Sequence, residues 1–78
     1  MVKVNKTVDA RGLFCPIPIL KSRKALKSLK INQVLEIFTS DPGSVKDIPA
    51  WVHVTGQELL SSEERGPKEF YFLIKKLK

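Results

Sequence analysis

Alternating apolar and polar residues near the start of the chain predict a β-strand. Val2, Val4 and Val8 alternate with polar residues, which is the period of two typical of a strand with one buried face. The following sequence, "ARGLF", is expected to form a turn. From Pro16 to about Leu29 the apolar residues recur at helical spacing. The predicted buried face consists of Ile19, Ser22, Ala25, Leu26 and Leu29, and Lys21, Lys24 and Lys27 lie away from it.

A second strand and a second helix are predicted in the middle of the chain. The stretch Val34–Ser40 is rich in β-branched and aromatic residues, which favours a buried strand. The sequence "SDPGS" then indicates a turn and a helix start, with Ser40 or Asp41 as the N-cap before Pro42.

The second helix is expected to run to about Thr55 and to end at Gly56. Pro49 is unfavourable inside it, because proline removes one backbone hydrogen bond. Trp51 is expected to pack in the core.

The last third of the chain predicts a β-hairpin and completes the topology. "QELLSSEE" (residues 57–64) is a weaker strand and "EFYFLIKKL" (residues 69–77) a strong one, joined across Gly66 and Pro67. The order βαβαββ predicts an α+β fold, a two-layer α/β sandwich with a mixed four-stranded sheet. Right-handed crossovers would place both helices on one face of the sheet and leave the other face open to solvent or to a partner.

Composition and cysteine usage narrow the class of protein. The chain has 78 residues, of which 42% are hydrophobic and 28% charged, as in an ordinary globular protein. We expect one domain over residues 1–78, complete as given, located in the cytoplasm and not associated with a membrane, since no signal peptide or long apolar run occurs. A single cysteine excludes an internal disulfide and fits a reducing compartment. With His53 as the only histidine, no four-ligand zinc site is possible, and no metal or cofactor is expected.

The positive charge is concentrated in the first half of the chain. The formal net charge is +6, and residues 1–39 carry all of this excess, while acidic and basic residues balance over residues 40–78. This asymmetry favours an anionic partner or an acidic protein surface near the first helix. A solvated lysine-rich surface explains it equally well.

The lone cysteine is the candidate for chemistry. If Cys15 is the N-cap and Pro16 the first helical residue, Pro18 lacks the third N–H, so the Ile17 N–H is the near partner of the sulfur. The positive helix end and Arg11 would then favour a thiolate. No CxxC motif occurs, and His53 is expected to be a surface or partly buried residue at the far end of the second helix. The remaining chemistry is to accept, hold and pass on a group on one sulfur, and the alternative is that Cys15 is a packing residue.

Two segments resemble those of a known family. "DARGLFCPIP" (residues 9–18) resembles the D-x-x-G-L-x-C-P-x-P signature of the TusA/SirA-like family, and "SDPGSVKDIP" (residues 40–49) is similar to its Asp-Pro and Asp-Ile-Pro segment. Length and element order agree as well, so the resemblance covers essentially the whole chain. The residues that match as framework are Asp9, Gly12, Leu13, Pro16 and Pro18 in the first segment and Asp41, Pro42, Asp47 and Pro49 in the second.

The resemblance implies sulfur transfer. In this family the cysteine that matches Cys15 carries a persulfide received from a cysteine desulfurase or a rhodanese-type donor. It passes the sulfur to an acceptor protein in tRNA thiolation, molybdenum-cofactor maturation or sulfur oxidation, so tRNA is involved only indirectly. The chain is then a persulfide carrier and sulfurtransferase rather than a multi-turnover enzyme.

The surface of the first helix is open to more than one interpretation. Ile17 and Leu20 lie off the buried face of this helix. Either they form a docking patch for a donor or acceptor protein, or they are ordinary exposed apolar residues. The basic residues of this helix form the rim of that dock, contact tRNA in an acceptor complex, or are a solvated surface. They are Lys21, Arg23, Lys24 and Lys27. Arg11, in the turn before the helix, is a further candidate for partner binding.

Two other functions stay open from the sequence. A small basic α/β sandwich is also typical of RNA-binding modules, although Phe70, Tyr71 and Phe72 do not form an RNP signature and no GXXG loop occurs. The third hypothesis is a regulatory or scaffold domain with an inert cysteine.

Overall fold

A computed structural model describes residues 3–14 and 17–78, which form two helices packed on a four-stranded sheet. The elements follow the predicted order βαβαββ. They are β1 (Lys6–Ala10), α1 (Ile17–Lys27), β2 (Val34–Thr39), α2 (Ser44–Thr55), β3 (Glu58–Gly66) and β4 (Glu69–Lys75).

The sheet is mixed, as predicted, with the strand order β1-β2-β4-β3. β1 and β2 are parallel, whereas β4 pairs antiparallel with both β2 and β3. Because parallel strands end at the same edge of a sheet, the connections from β1 to α1 and from β2 to α2 both begin at that edge. This edge positions the candidate site.

Both helices lie on one face of the sheet, which confirms the predicted two-layer architecture. The predicted buried face of α1 packs there, and Trp51 of α2 lies partly buried against the same core, as expected. Apolar side chains from both layers are removed from water, which is the main stabilising contribution to such a fold. Fully buried core residues include Ala10, Leu35, Ile37, Ile48 and Ile74.

The opposite face of the sheet carries a smaller apolar cluster. Val34, Tyr71 and Leu73 are buried in it, and Val4 packs against them. Val4 therefore lies on the face opposite to Val8, which belongs to the helix-side core. The prediction of one regular strand through both valines was wrong because regular pairing with β2 starts only at Lys6. Val2 lies outside the described residues.

The second helix begins later than predicted, at Ser44, with Gly43 as its N-cap. The prediction of Ser40 or Asp41 as the N-cap was wrong, because Asp41 first closes a separate turn. Its carboxylate accepts a hydrogen bond of 3.0 Å from the Gly43 N–H, and its carbonyl accepts one of 3.0 Å from the Ser44 N–H. Inside this turn the hydroxyls of Thr39 and Ser44 are 2.6 Å apart and fully or nearly buried.

The first helix ends at Lys27, slightly before the predicted end at Leu29. The N–H groups of Ser28 and Leu29 bond to carbonyls three residues earlier, so the last turn tightens. The ammonium group of Lys76 donates to the carbonyls of Leu26 and Leu29, at 3.0 and 2.8 Å. A positive charge is favourable at this end of a helix, so Lys76 acts as a cap from a distant part of the chain.

The other boundaries follow the sequence closely. α2 ends at Gly56, which has a φ of 76°, as expected for a glycine C-cap. The hairpin is tighter than predicted, because Gly66 still pairs with Glu69 and only Pro67 and Lys68 form the loop. No helix within residues 3–14 and 17–78 is long and apolar enough to cross a membrane.

Candidate functional site

The predicted site centres on Cys15, which lies outside the described residues together with Pro16. Their predicted positions as N-cap and first helical residue lie outside them as well. The segments on both sides of this pair are described, and the frame of the site is built from them.

Asp9 organises the turn that follows β1. Its carboxylate accepts hydrogen bonds from the backbone N–H of Arg11 at 3.2 Å and from the Arg11 guanidinium at 2.9 Å through each of its two oxygens. The guanidinium bond and then the backbone bond hold the pKa of Asp9 at about 2, below its ordinary value of 3.8. The positive charge of Arg11 is therefore already shared with Asp9, and its guanidinium lies 5.7 Å from the ring centre of Phe38.

Gly12 and Leu13 carry the chain from this turn towards Cys15. Gly12 has a φ of 81°, and a Cβ added to it would meet no atom within 4 Å. Glycine is thus favoured there by backbone conformation and not by lack of space. The N–H of Leu13 bonds to the Ala10 carbonyl at 3.2 Å, and the partly buried Leu13 side chain packs against the core.

A hydrogen bond links the connection after β1 to the connection after β2. The N–H of Gly12 donates to the hydroxyl of Ser40 at 2.7 Å. The sequence suggested Ser40 only as an N-cap, so this role was missed. The available signal was that Ser40 opens the second segment that resembles the TusA/SirA-like family.

The start of α1 differs from the predicted arrangement in one respect. The N–H of Ile17 donates to the Phe14 carbonyl at 2.9 Å. This amide, which was assigned to the thiol from the sequence, is therefore already bonded within the turn. Pro18 is buried, and its carbonyl accepts a hydrogen bond of 2.7 Å from the hydroxyl of Ser22, which satisfies that buried serine.

Three exposed apolar side chains occur at a spacing of three residues across the site. Phe14 is 73% exposed, Ile17 40% and Leu20 51%. We call these three residues the apolar patch. Ile17 and Leu20 are exposed as predicted, whereas Phe14 was missed because the sequence placed it only within a turn. The available signal was that Phe14 directly precedes Cys15 inside the segment that resembles the family signature.

The basic residues of α1 line the solvent side of the helix. Lys21, Arg23, Lys24 and Lys27 are all exposed. In the described part of the chain, the ion pairs are Arg11–Asp9 and Arg65–Glu63, and neither involves this group. α1 also has no acidic residue in its first turn. The positive charge of this helix is thus not matched by carboxylates of its own.

Comparison with known proteins identifies the family. The family model described as "Sulfurtransferase TusA" matches residues 6–76. The chain belongs to the TusA family. It is 49% identical over 76 residues to the sulfur carrier protein TusA of Allochromatium vinosum, which covers 97% of this chain and 99% of that protein. It is 45% identical to the putative sulfur carrier protein YrkF of Bacillus subtilis, over 96% of this chain and 40% of YrkF.

A solved structure supports the fold of this TusA family member. The crystal structure of a SirA-like protein from Desulfitobacterium hafniense superposes with a TM-score of 0.82, covering 94% of this chain and 99% of that one at 23% identity. Membership of the TusA family supports a role as a sulfur carrier. Such a role implies proteins that supply the sulfur and proteins that receive it.

The open face of the sheet in this TusA family member bears on the RNA-binding hypothesis. Phe38 and Tyr71 lie side by side, with ring centres 5.2 Å apart. The guanidinium of Arg65 lies 3.6 Å from the centre of the Tyr71 ring, and Tyr71 is only 7% exposed. Burial, together with a hydrogen bond of 2.8 Å to Glu36, raises the pKa of Tyr71. Single-stranded nucleic acids stack on exposed aromatic rings, and the ring of Tyr71 is already covered.

His53 is exposed in the last turn of α2, as predicted, at the opposite end of that helix from Ser44. Within residues 3–14 and 17–78 no group of three or more histidine, cysteine, aspartate or glutamate side chains is placed to hold a metal ion.

Proposed function

We propose that this protein carries sulfur as a persulfide on Cys15 and relays it to an acceptor protein. The observation that supports this most strongly is the setting of the only cysteine in the TusA-type signature. The described framework residues of that signature shape the adjoining chain. Asp9 closes the turn after β1, Gly12 supplies the positive φ and the bond to Ser40, and Pro18 is buried at the start of α1.

The proposed loading step is an exchange between a thiolate and a persulfide. The Cys15 thiolate attacks the outer sulfur of a donor persulfide, and a new S–S bond forms as the donor's S–S bond breaks. The inner sulfur of the donor persulfide, which belongs to the donor protein, leaves as a thiolate with the bonding electron pair. No external oxidant is therefore needed. Delivery repeats the exchange, with an acceptor nucleophile attacking the outer sulfur on Cys15 and the Cys15 thiolate leaving.

The charges near α1 favour the anionic forms of this cycle. The positive end of a helix stabilises a nearby thiolate, and the first turn of α1 has no carboxylate to oppose it. The carboxylate of Asp9, the acidic member of the signature, is bound by Arg11. Lys21 and Lys24 add exposed positive charge along the same helix.

The proposal includes the partners and the setting. The donor is a cysteine desulfurase or a rhodanese-type protein, and the acceptor belongs to tRNA thiolation, molybdenum-cofactor maturation or sulfur metabolism, so tRNA is reached only through the acceptor. The apolar patch and the basic residues of α1 would contact these proteins. One sulfur is carried per loading, by a single domain over residues 1–78. A reducing cytoplasm suits a lone reactive thiol.

Intact-mass measurement tests this function directly. The purified protein is incubated with cysteine and a cysteine desulfurase, or with thiosulfate and a rhodanese. We expect a mass gain of one sulfur atom that dithiothreitol reverses and that Cys15→Ser abolishes. The same gain in Cys15→Ser, or no gain with either donor, would refute the proposal.

A further inference from the structure

β1 is an edge strand whose outer side is unpaired within the described chain. It lies at one end of the sheet order β1-β2-β4-β3, and among residues 3–14 and 17–78 its strand partner is β2. An edge strand presents backbone N–H and C=O groups that can pair with another strand. Lys6, Thr7 and Asp9 of this strand are exposed, so the edge is accessible.

The other edge of the sheet, β3, is less suited to pairing with an added strand. Its register with β4 is interrupted twice, between Leu59 and Ser61 and between Glu64 and Gly66. Such bulges disrupt strand pairing at an edge, and the pairing of β1 with β2 shows no such interruption. The two edges therefore differ, and β1 is the one available for an added strand.

A groove of about 430 Å³ runs between β1 and α1 and is predominantly basic. Lys6 lines it from β1, and Lys21 and Lys24 line it from α1. Asp9 is the acidic residue among the described residues that line it, and its carboxylate is bound by Arg11 at the strand edge. The groove therefore offers positive charge and an unpaired strand edge in the same place.

We propose that this groove binds an acidic, extended segment of a partner protein as an added strand beside β1. The inference rests on the proposed carrier function, since the donor and acceptor are the proteins that must dock here. β1 ends at Ala10 and the chain then runs directly into the segment that carries Cys15. A strand bound at β1 would thus anchor the partner beside the sulfur-bearing segment.

The fold also specifies the sequence pattern of the bound segment. Val8 and Ala10 face the helices, and Lys6 reaches Ser28 on the same side, where its ammonium lies 2.6 Å from the hydroxyl. Side chains of an added strand would alternate between this side and the other, at about 3.3 Å per residue. The helix-side positions would lie on the same face of the sheet as Lys21 and Lys24 of α1. We therefore expect carboxylates at every second residue of the segment.

The opposite side of the added strand favours neutral residues. Thr7 faces that side and donates a hydrogen bond of 3.0 Å to Glu36 of β2. Asp9 also lies on that side, and its carboxylate would repel a further acidic group. A nucleic acid would place phosphates without this alternation and would not pair with the strand edge. The geometry therefore favours a peptide over RNA.

Amide chemical-shift titration of the ¹⁵N-labelled full chain with synthetic peptides tests the proposal. The probe is a short peptide with glutamate at alternate positions and valine or threonine between them. The first control has the same composition with its glutamates grouped together. The second keeps the alternating sequence but is N-methylated at alternate residues, which removes backbone donors without changing charge. A single-stranded RNA of equal charge is the third.

We expect shifts concentrated in β1 and α1 with the alternating peptide and at least about tenfold weaker binding of each control. The double variant Lys21→Gln/Lys24→Gln should weaken binding by a similar factor, whereas the matched variant Lys46→Gln/Lys68→Gln, at exposed lysines of α2 and the hairpin loop, should not. Equal binding of the N-methylated peptide would refute strand addition, equal binding of the grouped peptide would refute the alternation, and tighter binding of RNA would refute a peptide ligand.

The carrier function is tested separately in the same preparation. Inorganic polysulfide supplies sulfur to a thiol without a docking partner, so the mass gain of the unaltered chain with polysulfide reports on Cys15 alone. A chain that takes up sulfur but does not bind the alternating peptide refutes only the docking proposal. A chain that binds the peptide but takes up no sulfur refutes the carrier function.

Discussion

The backbone amide of Gly12 and the side-chain hydroxyl of Ser40 are joined by a hydrogen bond of 2.7 Å. Gly12 belongs to the connection between β1 and α1, and Ser40 to the connection between β2 and α2. The bond therefore couples the two segments that carry the family resemblance, and changes in one segment are expected to affect the other.

Replacing Ser40 with alanine should lower both stability and the rate of sulfur uptake. The lost hydrogen bond is expected to reduce the free energy of unfolding by about 0.5–1.5 kcal/mol. The segment before Cys15 would also lose the contact that holds Gly12 to the connection after β2. Urea unfolding and intact-mass time courses measure the two effects. Ser62→Ala, at an exposed serine of β3, is the control. Identical behaviour of the two variants would show that the bond does not order the site.

Replacing Gly12 with alanine should be destabilising, because alanine disfavours a φ of 81°. The expected cost is about 1–2 kcal/mol in the free energy of unfolding, measured by urea denaturation. Gly43→Ala is the matched control, since Gly43 has a φ of −62° and a Cβ there would make ordinary contacts at 3.5 Å with Asp41. If both variants lost the same free energy, the conformation of Gly12 would not be the cause.

Asp9→Asn should change the acid sensitivity of the fold. The pKa of Asp9 in the folded chain is about 2, below its ordinary value of 3.8. The ionised carboxylate therefore stabilises the fold above pH 3.8, and this contribution is lost as the pH falls from 3.8 to about 2. The stability difference between the unaltered chain and Asp9→Asn should thus shrink over that range.

Urea midpoints measured from neutral to acid pH give this comparison. Glu58→Gln, which removes an exposed carboxylate of β3, controls for the general effect of losing one negative charge. A difference between Asp9→Asn and the unaltered chain that stays constant with pH would contradict the assignment of the Arg11 pair as the cause.

Phe14→Ser should slow sulfur transfer from a protein donor without destabilising the fold. Phe14 is 73% exposed, so the free energy of unfolding should change by less than about 0.5 kcal/mol. If the apolar patch docks a donor, loss of its aromatic member should reduce the loading rate by about fivefold or more. Val54→Ser is the control, because Val54 is 82% exposed and lies near the C-terminal end of α2. Equal loading rates for both variants would remove Phe14 from the docking surface.

Local patterns predicted the type and order of the elements well, because most of them have a consistent period or a clear end signal. The helical spacing of Ser22, Ala25 and Leu26 predicted the buried face of α1, and Gly56 predicted the end of α2. Both are observed in the fold. The failures lie where local rules compete. Asp41 was expected to cap α2. Instead, its carboxylate accepts a hydrogen bond from the Gly43 N–H and its carbonyl accepts one from the Ser44 N–H, so it closes a turn before the helix.

Contacts between distant parts of the chain could not be predicted in the same way. The bonds from Lys76 to the end of α1, and from Gly12 to Ser40, join residues that no periodicity relates. The pairing of Arg11 with Asp9 is local in sequence, but it depends on the turn conformation, so the sequence suggested an arginine free to assist the thiol. Gly12 was identified through the family signature, and the positive φ that it supplies became clear only in the folded chain.

The position of β4 has a consequence for how the molecule is made. β4 is the last of the six elements in the chain, yet it lies in the interior of the sheet between β2 and β3, and Lys76 just beyond it caps α1. On a ribosome, β1, α1 and β2 would therefore emerge without the strand that joins β2 to β3 and without the cap of α1. The native sheet can be completed only after β4 has emerged, so the segment that contains Cys15 would reach its final setting only after residues 69–75 are made.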